Sequence, residues 1–247
     1  MAAVFNRQAD HAFMTTLFRS LGWMLLLAQP LRAQDHAPVE PASLPSPEQS
    51  MAPAKPSVEQ IDETHFRVGL LTFDRKTREI RLPAAINMTE GLLEFAVVQR
   101  QGKVHESLLV TDVSPLHLAV ALKLLRFPAS PLKEGPFEPN KESRFELEVE
   151  WREGDRTRRV PLREWIQHEP TAGTLPPGPW VYTGAEDDRG ALAAGTEPVA
   201  IFGGNPALVH YAGKDFQNDE VWLPYPKRVP AVGTPVTLIL TPSPPEP

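Results

Sequence analysis

The stretch LEFAVVQRQGKVHESLLVT, Leu93 to Thr111, decides how the chain is read. Two apolar runs, Leu93 to Arg100 and Val104 to Thr111, flank Gln101-Gly102-Lys103. A three-residue loop with a glycine between such runs predicts a β-hairpin. Just downstream, Ser114-Pro115 carries a helix start signal, with serine as N-cap and proline at the first helical position. The helix is expected over Leu116 to about Arg126, stopping before Pro128. Its polar face holds only His117, Lys123 and Arg126, so it is expected to be buried, packed across the sheet of the preceding hairpins.

Upstream, Phe66 to Phe73 and Thr77 to Leu82 read as a hairpin around Asp74-Arg75-Lys76. Downstream, Phe145, Leu147, Val149 and Trp151 alternate with Glu146, Glu148, Glu150 and Arg152, the pattern of a half-exposed strand. Glu153-Gly154-Asp155 turns it, and Arg156 to Leu162 returns, placing glutamates and arginines where they can pair across strands. Further strands are expected at Trp180 to Tyr182, Val199 to Phe202, Leu208 to Tyr211 and Pro235 to Leu240. Phe202-Gly203-Gly204-Asn205-Pro206 reads as a hairpin loop, since it has neither G-x-G-x-x-G nor a Walker lysine. Together these predict an α+β domain, a mostly antiparallel sheet built from hairpins with one buried helix packed on it.

The flanks differ from this core. Arg19, the apolar run Leu21 to Ala28 and the small residue closing Leu31-Arg32-Ala33 have the three-part build of a signal peptide over residues 1–33, with Met1 or Met14 as the start. Its apolar run is too short to span a bilayer, so no membrane span is expected in the mature chain. Residues 34–60 hold six prolines in 27 positions and no apolar period, which reads as a disordered linker. The single folded domain is expected over residues 61–241, with residues 242–247 as a disordered tail.

The chain has no cysteine, which excludes disulfides, thiolate metal sites and a cysteine nucleophile. A formal charge of −6 disfavours nucleic acid as a partner. The densest polar cluster is His105, Glu106, Ser107, Thr111, Asp112 and His117. A hydrolase would use Ser107 as nucleophile, His117 as base and Asp112 as orienter, but no G-x-S-x-G elbow exposes the serine. A metal site would use His105, Glu106 and His117, whose spacing departs from the usual zinc patterns. The third reading is structural, with each side chain satisfied locally. Glu186-Asp187-Asp188 lacks the spacing of a calcium loop. Trp180, Tyr182 and Trp222 would serve carbohydrate binding only as coplanar exposed rings, and large aromatics more often belong to the core.

The run Asn87-Met88-Thr89-Glu90-Gly91-Leu92-Leu93-Glu94-Phe95, then Gly102 to Thr111, Pro115-Leu116-His117 and Trp180 to Gly184 resembles the YdjY-type domain of uncharacterised exported bacterial proteins. The resemblance covers about residues 61–241 and is strongest over 87–125. It implies a domain carried behind a signal peptide and a low-complexity linker, with no established activity. Some relatives carry ferredoxin-like cysteine motifs, which this chain lacks, so no cofactor is expected. Any shared site would fall at Asn87, Glu106, Ser107, Thr111 and His117. The expectation is an exported binding or interaction domain of the periplasm or cell envelope, its partner an envelope protein or a small ligand. Asn87, His105 and Thr111 are its binding candidates. The alternative is a hydrolase or metal-dependent enzyme using Glu106, Ser107 and His117.

Overall fold

A computed structural model describes residues 56–133, 138–184 and 192–244. Its strands are β1 Val58–Gln60, β2 His65–Val68, β3 Leu71–Asp74, β4 Ile80–Ile86, β5 Phe95–Gln99, β6 Ser107–Thr111, β7 Arg144–Glu153 and β8 Arg156–Pro161. They continue as β9 Ile166–His168, β10 Gly173–Thr174, β11 Trp180–Tyr182, β12 Glu197–Ala200, β13 Ala207–Tyr211, β14 Trp222–Pro224 and β15 Pro235–Pro242. The α-helix α1 is Pro115–Leu124. The signal-peptide reading and the acidic run at Glu186 lie outside the described residues.

The hairpin expected around Gly102 does not form. β5 and β6 pair in parallel, Phe95 opposite Ser107 and Gln99 opposite Thr111. Gly102 closes a local turn onto Gln99, and a 3-10 turn at Val104–Glu106 carries the chain back to the start of the next strand. The return is only about 13 Å at ~3.3 Å per residue, a distance that the intervening loop can reach. The loop read as a hairpin at Phe202 to Pro206 is a crossover of the same kind, since β12 and β13 are also parallel.

The second correction is to the sheet itself. The strands follow the order β4-β15-β7-β11-β13-β12-β5-β6, and β6 pairs back onto β4 through Ala85–Val110 and Ile86–Leu109. The result is a closed eight-stranded barrel, not an open sheet of hairpins. Closure removes the free edges of those strands, and a barrel of about eight strands is just wide enough for side chains to fill it. The protein is mostly β, with one α-helix among the described residues.

Two halves of the barrel differ. β7 alternates as expected, and Leu82, Val149, Leu238 and Leu240 belong to the main core. β5, β6, β11, β12 and β13 are almost wholly buried on both faces. A bulge explains part of this. The β5–β12 register steps from Val97–Val199 to Phe95–Ala200, leaving Ala96 as an extra residue. Phe95 and Val98 then join Ala200 and Ala207 in a second small core, under Val104 of the first crossover.

α1 contacts β2 and β3, which extend from β4, and also β12 and β13 on the far side of the ring. It therefore spans one end of the barrel. Ser114 Oγ accepts the Leu116 amide at 3.3 Å, as the N-cap reading requires. The helix stops in a Schellman motif, with Phe127 N donating to Leu122 O and Arg126 N to Lys123 O. Leu118, Ala119, Ala121 and Leu122 face inward. The expectation of burial on all sides is corrected, because Leu116 and Leu124 are 37% and 49% exposed. An end-capping helix has only one face to bury. The small sheet β10-β9-β14 forms separately, and its Trp222 carbonyl accepts the amide of Leu93 just before β5.

Phe66 to Phe73 is not one strand. The chain reverses at Gly69-Leu70, where Gly69 has φ 58°, and the two halves pair as β2 and β3. Val58 to Gln60, inside the proline-rich stretch, pair with β2. β15 reaches Pro242 opposite Phe145.

Candidate ligand-binding pocket

The residues singled out in the sequence are not gathered into one site. Ser107 is fully buried and its hydroxyl donates to the Leu109 carbonyl at 2.8 Å. Thr111 donates to Pro83 O at 2.6 Å and accepts from Val113 N at 3.0 Å. The Asn87 side-chain amide donates to the carbonyls of Val104 and Ser107, clamping the first crossover. Asp112 forms a two-point ion pair with Arg100 at 2.7 and 3.0 Å. His105 and Glu106 are neighbours at 3.3 Å, with Lys103 3.5 Å from the Glu106 carboxylate. His117 lies at the other end of β6, against the Gly69 turn. β6 alone puts about 13 Å between its ends at ~3.3 Å per residue. Glu106, Ser107 and His117 thus occupy separate surroundings, which leaves the hydrolase and metal readings without a constellation. Trp180, Tyr182 and Trp222 are buried, and Tyr211 packs tilted against Trp180 at 5.6 Å and edge-on against Trp222 at 5.7 Å.

Two histidines stand in buried polar clasps. His168 is fully buried, with Nε2 2.9 Å from Asp215 and Nδ1 3.0 Å from Thr171. The Thr171 hydroxyl also bonds the His168 carbonyl and the Gly173 amide, so its capacity is absorbed locally. His210 places Nε2 2.8 Å from the Asn205 carbonyl and Nδ1 2.8 Å from the Thr183 hydroxyl. A carbonyl only accepts, so Nε2 carries the proton and Nδ1 accepts from Thr183. Among the described residues no group of three histidines and carboxylates is arranged to hold a metal ion. Nor is any described helix long and apolar enough to cross a membrane.

The feature that fits a ligand was not read from the sequence. A half-open cavity of about 700 Å³ lies between the β2–β3 hairpin and the C-terminal end of α1. Phe66 and Phe73, cross-strand partners stacked at 5.5 Å, line it together with Val58, Leu124 and Leu125. Among the described residues, Arg75, Arg78 and Arg126 rim it against a single carboxylate, Glu142.

Each arginine is placed by a chain reversal. Asp74 Oδ1 accepts the Lys76 amide, and Asp74 O accepts the Arg78 amide, folding the β3–β4 turn that presents Arg75 and Arg78. Arg75 lies over the Phe66 ring at 5.6 Å. Arg78 lies over Phe127 at 3.8 Å, and its Nε donates to the Leu125 carbonyl at the helix end. Arg78 and Arg126 have φ of 62° and 59°, a region uncommon for a side-chain-bearing residue. Such backbone costs of order 1 kcal/mol or more and tends to cluster at functional sites. Among the described residues neither Arg75 nor Arg126 has a carboxylate partner.

The sequence did carry a signal. D-R-K-T-R just after the Phe73 strand puts two arginines in one turn, and Arg126 stands where a helix C-terminus usually has glycine. A second cavity, of about 640 Å³, shares Arg78 and Glu142 and continues past Arg144 toward Pro242. Three basic groups around an apolar floor can bind an anion with an apolar body.

No protein-family model matches the chain, and no curated protein or solved structure is significantly similar to it.

Proposed function

We propose that the protein is an exported binding domain of the YdjY type, acting in the periplasm or cell envelope, with its ligand site in the arginine-rimmed pocket. One observation carries the binding half of this reading: an apolar cavity whose rim, among the described residues, sets three arginines against one carboxylate. That balance favours a ligand with a negative group and an apolar body. Net charge elsewhere is acidic, so the basic rim is a local departure from a chain of −6. The tripartite N-terminal pattern and the proline-rich stretch support export.

The binding test uses the full chain and the fluorescent aromatic sulfonate 8-anilinonaphthalene-1-sulfonate. Saturable one-to-one binding is expected, weakened at least tenfold by Arg75→Glu combined with Arg126→Glu while the folded signal stays intact. Binding that never saturates, or that ignores both substitutions, overturns the pocket assignment. Export is tested separately, by N-terminal sequencing of protein recovered outside the bacterial cytoplasm. A mature terminus at Gln34 is expected, and full-length protein confined to the cytoplasm overturns it.

A further inference from the structure

Resting on the pocket assignment above, we infer that the ligand is a single-chain anionic lipid, its headgroup held by Arg75 and Arg126 and its acyl tail laid against Phe66, Phe73 and Leu124. The argument turns on where the apolar surface goes after it leaves the cavity. Leu124 lines the pocket and is also about half exposed to solvent. From it, Val120 and Leu116 follow at four-residue intervals along the outer face of α1, Val120 half-buried and Leu116 37% exposed. Residues at i, i+4 and i+8 share one helix face. Eight residues at ~1.5 Å each extend this stripe about 12 Å beyond the pocket. Leu70, 59% exposed, sits next to Gly69, which meets His117 on the same helix.

A compact aromatic anion has no use for that extension. A flexible hydrocarbon chain does, because every methylene laid along it leaves water. The charge distribution fits the other end of such a molecule. Arg75 and Arg126 have no carboxylate partner among the described residues, so a carboxylate or phosphate headgroup would meet cations not already neutralised. A tail in the groove and a head at the rim can be satisfied together, since Leu124 and Arg126 are two residues apart at the helix end.

The test is calorimetric titration of the full chain with hexanoate, octanoate, decanoate and dodecanoate below their micelle-forming concentrations. Dodecyl phosphate and benzoate are run beside them. Affinity is expected to rise about fourfold per methylene, the factor for burying a CH₂ group. Leu116→Ser with Leu124→Ser should flatten that slope, whereas Arg75→Ala with Arg126→Ala should lower every member of the series by a similar factor. Dodecyl phosphate matching dodecanoate identifies the headgroup requirement as negative charge alone, as the inference expects. Affinity independent of chain length, with benzoate as good as dodecanoate, overturns the lipid and leaves the pocket reading standing. Failure of every anion, the aromatic sulfonate included, removes both. The leucines replaced are solvent-exposed, and an unchanged thermal midpoint checks that the variants fold.

Discussion

The carboxylate of Glu197 fills the space that a side chain at position 102 would need. A Cβ built on Gly102 falls 1.8 Å from Glu197 Oε1, while Oε2 accepts the Gln99 amide at 2.7 Å. The first parallel crossover therefore depends on a glycine at one point and a buried acid at another. Gly102→Ala should destabilise the protein by about 1–3 kcal/mol in urea denaturation, the usual cost of overpacking. Glu197→Ala should cost stability too, by orphaning the Gln99 amide. The double variant should lose less than the sum of the two, because removing the carboxylate opens room for the methyl group. Strict additivity would show that the two residues do not share this space.

His210 makes stability depend on pH in a direction that can be worked out. Burial holds its imidazole below the ordinary value of 6.5, only partly offset by the bond to Asn205. The unfolded chain takes up the proton near pH 6.5 while the native state resists it. Below that point the unfolded state binds more protons, so stability falls as pH drops and is fully present above it. Urea midpoints measured from pH 8 to pH 5 should decline below about 6.5. His210→Gln, which keeps a donor and an acceptor, should remove the part of the decline that belongs to this window. An unchanged slope in that variant would assign the decline to other groups.

How far the fold was legible follows from which interactions are local. Ser114 announced the start of α1, and Gly154 the β7–β8 turn, because a cap and a tight turn are decided within a few residues. Pairing direction across Gly102 is not local. A hairpin and a short parallel crossover share the same apolar runs and the same central glycine. The crossover is held in part by Glu197, which accepts the amide of Gln99 from 98 residues away in sequence. Barrel closure was hidden for a similar reason, since β15 at the C-terminus completes the ring between β4 and β7. The polar cluster around Glu106 does not converge because Ser107 is satisfied by the Leu109 carbonyl and His117 lies beyond the far end of β6, against Gly69. The pocket assembles from β1, the β2–β3 hairpin, the β3–β4 turn, the end of α1 and Glu142, and only D-R-K-T-R and the non-glycine cap at Arg126 marked it in advance.

Ser107 was a candidate nucleophile, and its surroundings make a sharper prediction. The hydroxyl is fully buried and donates to a carbonyl two residues on. Ser107→Ala should cost about 1 kcal/mol of stability, the typical worth of one such hydrogen bond. It should leave binding of the aromatic sulfonate unchanged, because Ser107 does not line the pocket. A loss of binding without a loss of stability would return this residue to the functional site.

The Gly69 turn joins two separate strains that substitution can pull apart. Gly69 has φ 58°, which alanine adopts only at a cost, and a Cβ there falls 2.2 Å from Nδ1 of His117. Gly69→Ala should therefore destabilise through both backbone and clash, by about 1–3 kcal/mol. His117→Ala removes the ring and with it the clash, but not the backbone penalty. The Gly69→Ala, His117→Ala double variant should accordingly recover part of the loss, leaving about 1 kcal/mol attributable to the left-handed backbone. Full recovery would show that the backbone costs nothing at this turn, and no recovery would show that the imidazole moves aside freely. Denaturation midpoints of the four proteins, wild type included, separate these cases, and the answer measures how firmly α1 is held against the hairpin that forms one wall of the pocket.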